Sequence, residues 1–522
     1  MVIKKIVDTF LENGFIITPD TLNYLENINI KNRENLIKSA IYRAKSLADK
    51  PLVITRDFII EYKQEKLVKK PETFSENKSN VEEINEDIII QKNIRGKKVS
   101  ECIAKEIEPI IEINKDPTGN LIGTGSINDV HKYFINRFKS LQSLLLKRSD
   151  SKNSISIDNI SKYKNNTIKI IGIVKEKSEH EDKKRKGAFN YFLELEDLKA
   201  SVKVFISGSN KLLAQLGSHL MLDQIICVEG MLKDDLLYAE NIYFPGIPDR
   251  QHINKIDYPL HAALISDTHF GSKKFLSEEF QNFIDWLKGN IGSEKQRQLA
   301  YKIKYILIAG DLIDGVGVYP EHEKNLSIID VKAQYELAAE YLKQIPEYIS
   351  IIIIPGGAHD AVRKALPQEA IPRTYAKPIY SLKNTIMLGN PSFLTIHGMK
   401  TIMYHGEGLD DVIPSIPGMS YSTGDLAMIE LLKSRHLAPI YGKKVGISPE
   451  PHDWLVINDI PDLFQCGHTH INRSSNYKGI RVINSGTFQG ETQYQQSLGI
   501  KPTPGIVTIV NISDFSYKLK KF

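Results

Sequence analysis

The segment ISIIIIPGGAHD spans residues 349–360. Its four consecutive isoleucines, Ile351 to Ile354, are β-branched and apolar, and the run is too short for a helix. With no polar alternation it has no solvent-facing side. It therefore reads as a strand buried on both faces, as in sheets covered by helices. Pro355, Gly356 and Gly357 stop the run, and the chain then presents His359 and Asp360. Four further segments between residues 258 and 522 follow the same plan: HAALISD, KYILIAGD, KTIMYHGEG and DLFQCGHTH, with helical stretches between them. Each carries polar residues just past an apolar run, where open α/β sheets place their chemistry.

Those strand ends supply a repeated set of residue types. LISDTHFG gives Asp267 and His269, LIAGDLIDG gives Asp311 and Asp314, MYHGEG gives His405, and QCGHTH gives His468 and His470. In extended backbone, Asp-x-His and His-x-His put both side chains on one side of the strand. Mixed imidazole and carboxylate donors suit Mn²⁺, Fe²⁺ or Zn²⁺ better than Ca²⁺ or an all-oxygen Mg²⁺ site. A single such pair carries little information, whereas five groups, each closing a strand, point to a metal centre. Asp314 reads as a helix cap or turn residue. His322, His397, His436 and His452 read as ordinary surface or loop histidines.

Upstream, the chain changes character several times. Residues 1–62 show helical spacing, as in Ile3, Ile6, Val7 and Phe10, and read as a small helical module. Residues 63–124 mix both charges with few large apolar side chains, so a flexible charged linker is expected, with IEPIIEINKD as a short strand or docking segment inside it. An amphipathic helix is expected within 125–150, after Ser126, with Val130, Phe134, Phe138, Leu141 and Leu145 as its apolar stripe. Residues 151–250 hold five short β-branched strands and one helical stretch, NKLLAQLGSHL, the pattern of an OB-type barrel. Its loop EHEDKKRKGAFN is basic and suits either a phosphate backbone or a solvated hairpin tip.

Bulk properties bound the function. At 522 residues, two to four domains are expected. A net charge of +5 permits nucleic-acid binding without arguing for it. Cys102, Cys227 and Cys466 have no paired spacing, which speaks against a disulfide framework and a cysteine zinc site. A reducing, cytoplasmic setting follows. No signal peptide is evident, and the apolar runs fall far short of the ~20 residues of a membrane helix.

The order D-x-H, G-D, H-D, H, G-H-x-H resembles the calcineurin-like metallophosphoesterases. Four longer stretches carry a closer resemblance: DGVGVYPEHE (314–323), AVRKALPQEAIP (361–372), YHGEGLDDVIPSIPGMSY (404–421) and VINSGTFQGETQYQQSLGIKPTPG (482–505). With them, residues 125 to 522 resemble the small subunits of archaeal family D DNA polymerases, and more distantly the eukaryotic polymerase B-subunits. The resemblance implies a multidomain α/β protein: helical module, OB-type barrel, and a metallophosphoesterase domain over 258–522. It implies two divalent metal ions, Mn²⁺ foremost, with Fe²⁺, Zn²⁺ or Mg²⁺ as alternatives. Asp267, His269, Asp311 and His470 would hold one, and Asp311, His405 and His468 the other. His359 would supply the proton to a leaving 3′ oxygen, with Asp360 orienting its ring. The implied activity is a proofreading 3′–5′ exonuclease, and the implied partners are a large catalytic polymerase subunit and DNA with a 3′ end. A sliding-clamp contact is expected through the holoenzyme, although no clamp motif is evident in this chain. One departure stands out. The superfamily loop reads Gly-Asn-His-Asp, and its asparagine ligates the second metal. Here Ala358 aligns with that asparagine, beside an extra glycine. Two classes therefore remain: an active nuclease, and an accessory scaffold with a weak or idle site.

Overall fold

The computed structural model describes residues 102–522, apart from 183–184, 250–255 and 498, and scattered positions before residue 55. The chain divides into two compact units, Met1–Asn80 and Val81–Phe522. In the first, helical positions include Phe10, Leu25 and Ile41. Two short strands, β1 (Ile16–Ile17) and β2 (Val53–Ile54), pair in parallel, an addition that helical spacing does not predict. Most of the expected linker, 63–101, lies outside the described residues. Its last part contains the short strand expected within IEPIIEINKD. Residues 111–115 form β3 (Ile111–Lys115), which pairs antiparallel with a sheet of the second unit. The backbone hydrogen bonds of that sheet edge hold a segment too polar to order by its own burial.

Helix α1 (Ile127–Leu146) begins at Ser126, whose side chain accepts from Asp129 N in a capping box. Of the expected stripe, Phe138, Leu141 and Leu145 are fully buried. Tyr133 and Arg137 are buried with them, so the buried face is rotated from the purely apolar one. Next come β4 (Thr167–Glu181), β5 (Phe189–Glu196), β6 (Ser201–Ile206), α2 (Lys211–His219), β7 (Ile225–Lys233) and β8 (Leu236–Tyr243). The five strands close a barrel in the order β4-β5-β6-β8-β7. Its interior is filled by alternate residues such as Leu193, Val204, Val228 and Leu237.

The rest of the chain builds two sheets. The first contains β9 (His261–Ile265), β10 (Ile303–Ala309), β11 (Ser350–Ile354) and β12 (Thr385–Met387). The second contains β13 (Ser392–Ile396), β14 (Met399–Met403), β15 (Leu463–Cys466), β16 (Arg473–Tyr477) and β17 (Ile480–Asn484). Finally β18 (Ile506–Asn511) and β19 (Tyr517–Lys521) return to the first. The orders are β12-β11-β10-β9-β18-β19 and β16-β17-β15-β14-β13-β3.

Period-two alternation on β10 shows how these layers stack. Tyr305, Leu307 and Ala309 join a core shared with Leu394, Met403 and Leu463 of the second sheet. Ile306 and Ile308 pack on the other side against helical residues such as Phe283 and Tyr335. Both faces are covered, so Ile351 to Ile354 are each fully buried. Each such side chain contributes about 1.5–3 kcal/mol relative to exposure. The three cysteines are free. Among the described residues, no helix is long and apolar enough to cross a membrane.

Candidate metal centre

The parallel strands β9, β10 and β11 end together, and β14 and β15 end beside them. Their terminal loops bring the strand-end residues to one place. The backbone there is not extended, contrary to what the D-x-H and H-x-H spacing predicts. Asp267, His269, Asp311, His468 and His470 all have φ between 49° and 70°, in the left-handed region that non-glycine residues rarely enter. Tertiary contacts hold this strain: Asp267 N donates to Gly310 O at 2.9 Å and His269 N to Asp311 O at 3.1 Å.

Asp267, His269, Asp311 and His470 are buried and each offers a donor atom within 4.8 Å of the others. His269 Nε2 lies 3.2 Å from His470 Nε2 and 3.8 Å from Asp311 Oδ2. His470 Nε2 lies 3.3 Å from Asp267 Oδ1. His405 Nε2 approaches Asp311 Oδ2 at 3.4 Å, while its Nδ1–H donates to Ala309 O at 2.9 Å. Asp311 Oδ1 is buried without a hydrogen-bond partner, and His405 Nε2 makes no hydrogen bond beyond its contact with Asp311. Orphaned atoms of this kind are costly unless something binds them. The donor set fits a divalent ion.

His468 is brought near, its ring 5.1 Å from that of His405, but its Nε2 meets Asp410 Oδ1 at 3.0 Å. Asp410 also holds Lys444 Nζ at 2.7 Å and accepts from Tyr421 at 2.8 Å.

Two glycines are needed for this approach. A Cβ at Gly310, whose φ is +85°, would sit 2.3 Å from His405 Nδ1. One at Gly356 would sit 2.4 Å from Asp311 Oδ1. The sequence signals were the G of "GD" and the first G of "PGG".

Asp360 does not orient His359. Its carboxylate accepts from Gly356 N at 3.0 Å, Leu312 N at 3.2 Å and Tyr335 Oη at 2.9 Å, tying the loop to the end of β10. Side chains of adjacent residues diverge in this turn, so the neighbour in sequence is not the neighbour in space. His359 Nδ1 instead donates to the backbone oxygen of Asp314 at 2.7 Å.

Asp314 and His322 look ordinary in the sequence, and both belong to the site. Asp314 Oδ1 accepts from His269 Nδ1 at 2.9 Å and from Gln489 Nε2 at 3.2 Å. Its Oδ2 faces His322 Nε2 at 3.5 Å, and His322 is fully buried. Gln495 Nε2, 2.8 Å from His470 Nδ1, fixes a further ring. Their locations inside DGVGVYPEHE and VINSGTFQGETQYQQSLGIKPTPG are the signal that was available. Two other histidines are corrected as well. His436 is buried against Asp453 at 2.9 Å, and His397 is buried between Tyr258 and Tyr305. His452 is exposed, beside Trp454.

Ala358 is exposed and offers nothing to the cluster. It is Gly357 whose Cβ position lies about 4 Å from His405 and Glu407. Glu407 Oε1 accepts from Gly357 N at 3.1 Å and Asn390 Nδ2 at 2.9 Å, so this buried carboxylate anchors the glycine loop.

The electrostatics follow from burial and neighbours. Burial opposes charge on Asp311, but His405, His359 and His269 outweigh it and hold its pKa well below the usual range. Burial would discharge His405, and Asp311 outweighs it in turn. Burial also raises Asp314, yet its bond to His269 brings it down to about 2. Asp360 is pushed up to about 6 by burial and by Asp311. Burial lowers His269, favouring the neutral ring that a metal requires.

The second unit thus holds a barrel, two stacked sheets and a buried histidine–carboxylate cluster at their strand ends. The family model for the B-subunits of DNA polymerases alpha and epsilon matches residues 262–473. The chain is 39% identical over 400 residues to the DNA polymerase II small subunit of Methanothermobacter thermautotrophicus, covering 77% of this chain and 81% of that one. It is 38% identical over 512 residues to that of Archaeoglobus fulgidus, covering 98% and 97%. With that of Pyrococcus furiosus it shares 36% over 436 residues, covering 83% and 68%. The chain belongs to the family of DNA polymerase II small subunits.

Proposed function

We propose that this chain is the small subunit of an archaeal family D DNA polymerase and carries a metal-dependent 3′–5′ exonuclease that removes mismatched 3′ ends. The observation that carries this reading is the buried Asp267–His269–Asp311–His470 cluster, with Asp311 Oδ1 left without a hydrogen bond and His405 Nε2 turned to Asp311 beside it. The order β4-β5-β6-β8-β7, with α2 between β6 and β7, supports an OB-type barrel, and the two stacked sheets support a calcineurin-like phosphoesterase domain. Its partners in this reading are a large catalytic subunit and DNA with a free 3′ end.

Asp267, His269, Asp311 and His470 would hold one divalent ion, and Asp311 with His405 and His468 would hold a second, Mn²⁺ being the best match to the donors. When bound, such ions lower the pKa of a bound water and neutralise the attacked phosphate. The residues themselves do the rest. Asp314 Oδ1 fixes His269 by Nδ1–H, which leaves Nε2 as its donor atom. Asp314 O fixes His359 Nδ1–H, so His359 exchanges its proton at Nε2, where a leaving 3′ oxygen would take it. Asp360 keeps the loop closed on β10.

A scaffold with an idle site is the second reading. It is favoured by the loop itself, which presents Gly356, Gly357 and an exposed Ala358 and no side-chain donor towards His405. A Mn²⁺ titration with a 3′-mismatched primer separates the two. Nuclease activity that rises with Mn²⁺ and is lost together with bound metal in His470→Ala supports the enzyme. Metal content and activity that both survive His470→Ala would mean the ligand set is wrong, and no activity at any Mn²⁺ concentration supports the scaffold.

A further inference from the structure

The barrel carries a row of aromatic rings that takes no part in the metal centre. Phe192 on β5, Phe205 on β6 and Tyr238 on β8 are direct partners across three neighbouring strands. Their ring centroids lie 5.1 and 5.5 Å apart, and His180 on β4 extends the row, 5.6 Å from Phe192. Their strand neighbours Leu193, Val204 and Leu237 fill the barrel interior, so the period of two turns this row outward. Phe192 and Tyr238 each remain 39% exposed, and nearby Phe189 41%. Rings that pack edge to edge on a barrel's outside keep large apolar faces in water, which a stacking partner would cover.

The row lies between two loops. One, between the first and second barrel strands, carries Arg185 and Lys186, and the other is the Asp234–Asp235 turn between the last two. In barrels of this strand order, the second and third strands and these two loops form the face that takes oligonucleotides. Cations flank the rings on both sides. Arg185 and Lys186 are exposed in the first loop. Lys203 is exposed two residues before Phe205, on the same face, and Lys233 Nζ lies 5.6 Å from the Tyr238 centroid. Among the described residues no ion pair engages these four. Glu194 and Glu196, on the same strand and face as Phe192, are held by Lys175 at 2.9 and 3.4 Å, and Glu194 also lies opposite Lys203.

We propose that this face is a binding platform for single-stranded nucleic acid. Bases stack on Phe192, Phe205 and Tyr238, and phosphates run past Arg185 and Lys186 on one side and Lys203 and Lys233 on the other. A duplex hides its base faces and cannot use the rings. Stacking tolerates any base, so the platform has little sequence preference. It does not rest on the metal centre.

The test is fluorescence anisotropy of the full chain with labelled oligothymidylate in EDTA. The wild type binds, and an unlabelled duplex of equal length competes poorly. Phe192→Ala with Tyr238→Ala weakens binding by roughly tenfold or more. Lys203→Glu with Lys233→Glu weakens it too and flattens its dependence on salt. These two lysines are exposed, so this second variant remains decisive if the aromatic one fails to fold. The proposal is overturned if the wild type does not bind, if duplex competes equally, or if both folded variants bind as the wild type does. It is also overturned if the aromatic variant keeps its oligothymidylate affinity but no longer co-purifies with a protein partner, since the face is then a protein interface.

Discussion

Asp314 joins three histidines through one buried carboxylate and one carbonyl. A carboxylate on the far nitrogen of a ligating imidazole sets its tautomer and raises its basicity, and losing it typically costs 10–100-fold in metal affinity. Asp314→Asn keeps the shape and removes the charge. We expect Mn²⁺ affinity, measured by calorimetry, to fall by about tenfold or more. Unchanged affinity would mean that His269 is not a ligand. The glycine loop yields a second prediction. From the aligned sequence, an asparagine at 358 is the expected repair of the second metal site. Ala358 is exposed, and on that placement Ala358→Asn should leave the Mn²⁺ requirement unchanged. Gly357, with φ +34° and its Cβ direction open towards His405, is the position that faces the cluster. Asparagine tolerates left-handed backbone better than most residues. Gly357→Asn should therefore lower the Mn²⁺ concentration needed for half-saturation, and a rise would place the missing ligand elsewhere.

At the scale of elements, α1 is held by charge as much as by its apolar stripe. Arg137, 1% exposed, donates from Nε to Asp453 Oδ2 at 2.9 Å and from Nη1 to Pro439 O at 2.8 Å, and also contacts Tyr133 Oη. His436 donates to the same Asp453 oxygen. Removing one partner of such a pair leaves the other charge buried and typically costs 3–5 kcal/mol. Arg137→Met should lower the denaturant midpoint accordingly, while Lys139→Met, on the exposed side of the helix, should not. The same network sets a pH dependence. Burial, with Arg137 adding to it, brings His436 down to about 4, against about 6.5 when unfolded. Between those values the unfolded chain holds more protons, so stability falls as pH drops through that window. The loss is on the order of 2–3 kcal/mol for a shift of this size. Asp453, held low despite its burial by His436 and Arg137, loses its contribution at still lower pH. Thermal melts from pH 7 to 4 should show the decline, and His436→Gln should flatten it.

On the scale of the whole molecule, β3 changes where the second unit can be cut. A chain starting near Gly119 looks safe if 63–124 is a linker. It would in fact lose the edge strand paired with β13, the bond from Lys115 Nζ to Val456 O at 3.1 Å, and that from Gly389 N to Asp116 at 2.9 Å. A few hydrogen bonds of about 1 kcal/mol each suggest a melting temperature lower by roughly 5 °C than for a chain starting at Cys102. Equal melting temperatures would show that β3 contributes nothing. The strands, α1, the five-stranded barrel and the strand-end histidines were legible because their signals are local: β-branched runs, a period of two or 3.6, and Gly or Pro at the breaks. Within the site, Asp267, His269, Asp311 and His470 could be read this way because each closes a strand. Asp314, His322, Gln489, Gln495 and Glu407 could not, because their stretches mark the family and not the role of each side chain, and only the convergence of distant loops gives them partners. The same holds for the division of the apolar strands into two sheets, the tie between Asp360 and β10, and the outward turn of Ala358. Sequence alone thus determined the element types, the α/β class and the strand-end histidines and aspartates, since propensity and periodicity act over a few residues. Tertiary structure alone decided which of these side chains meet, which carboxylate serves which imidazole, and which loop residue faces the histidine–carboxylate cluster, since those outcomes depend on left-handed backbone and buried contacts between segments up to two hundred residues apart.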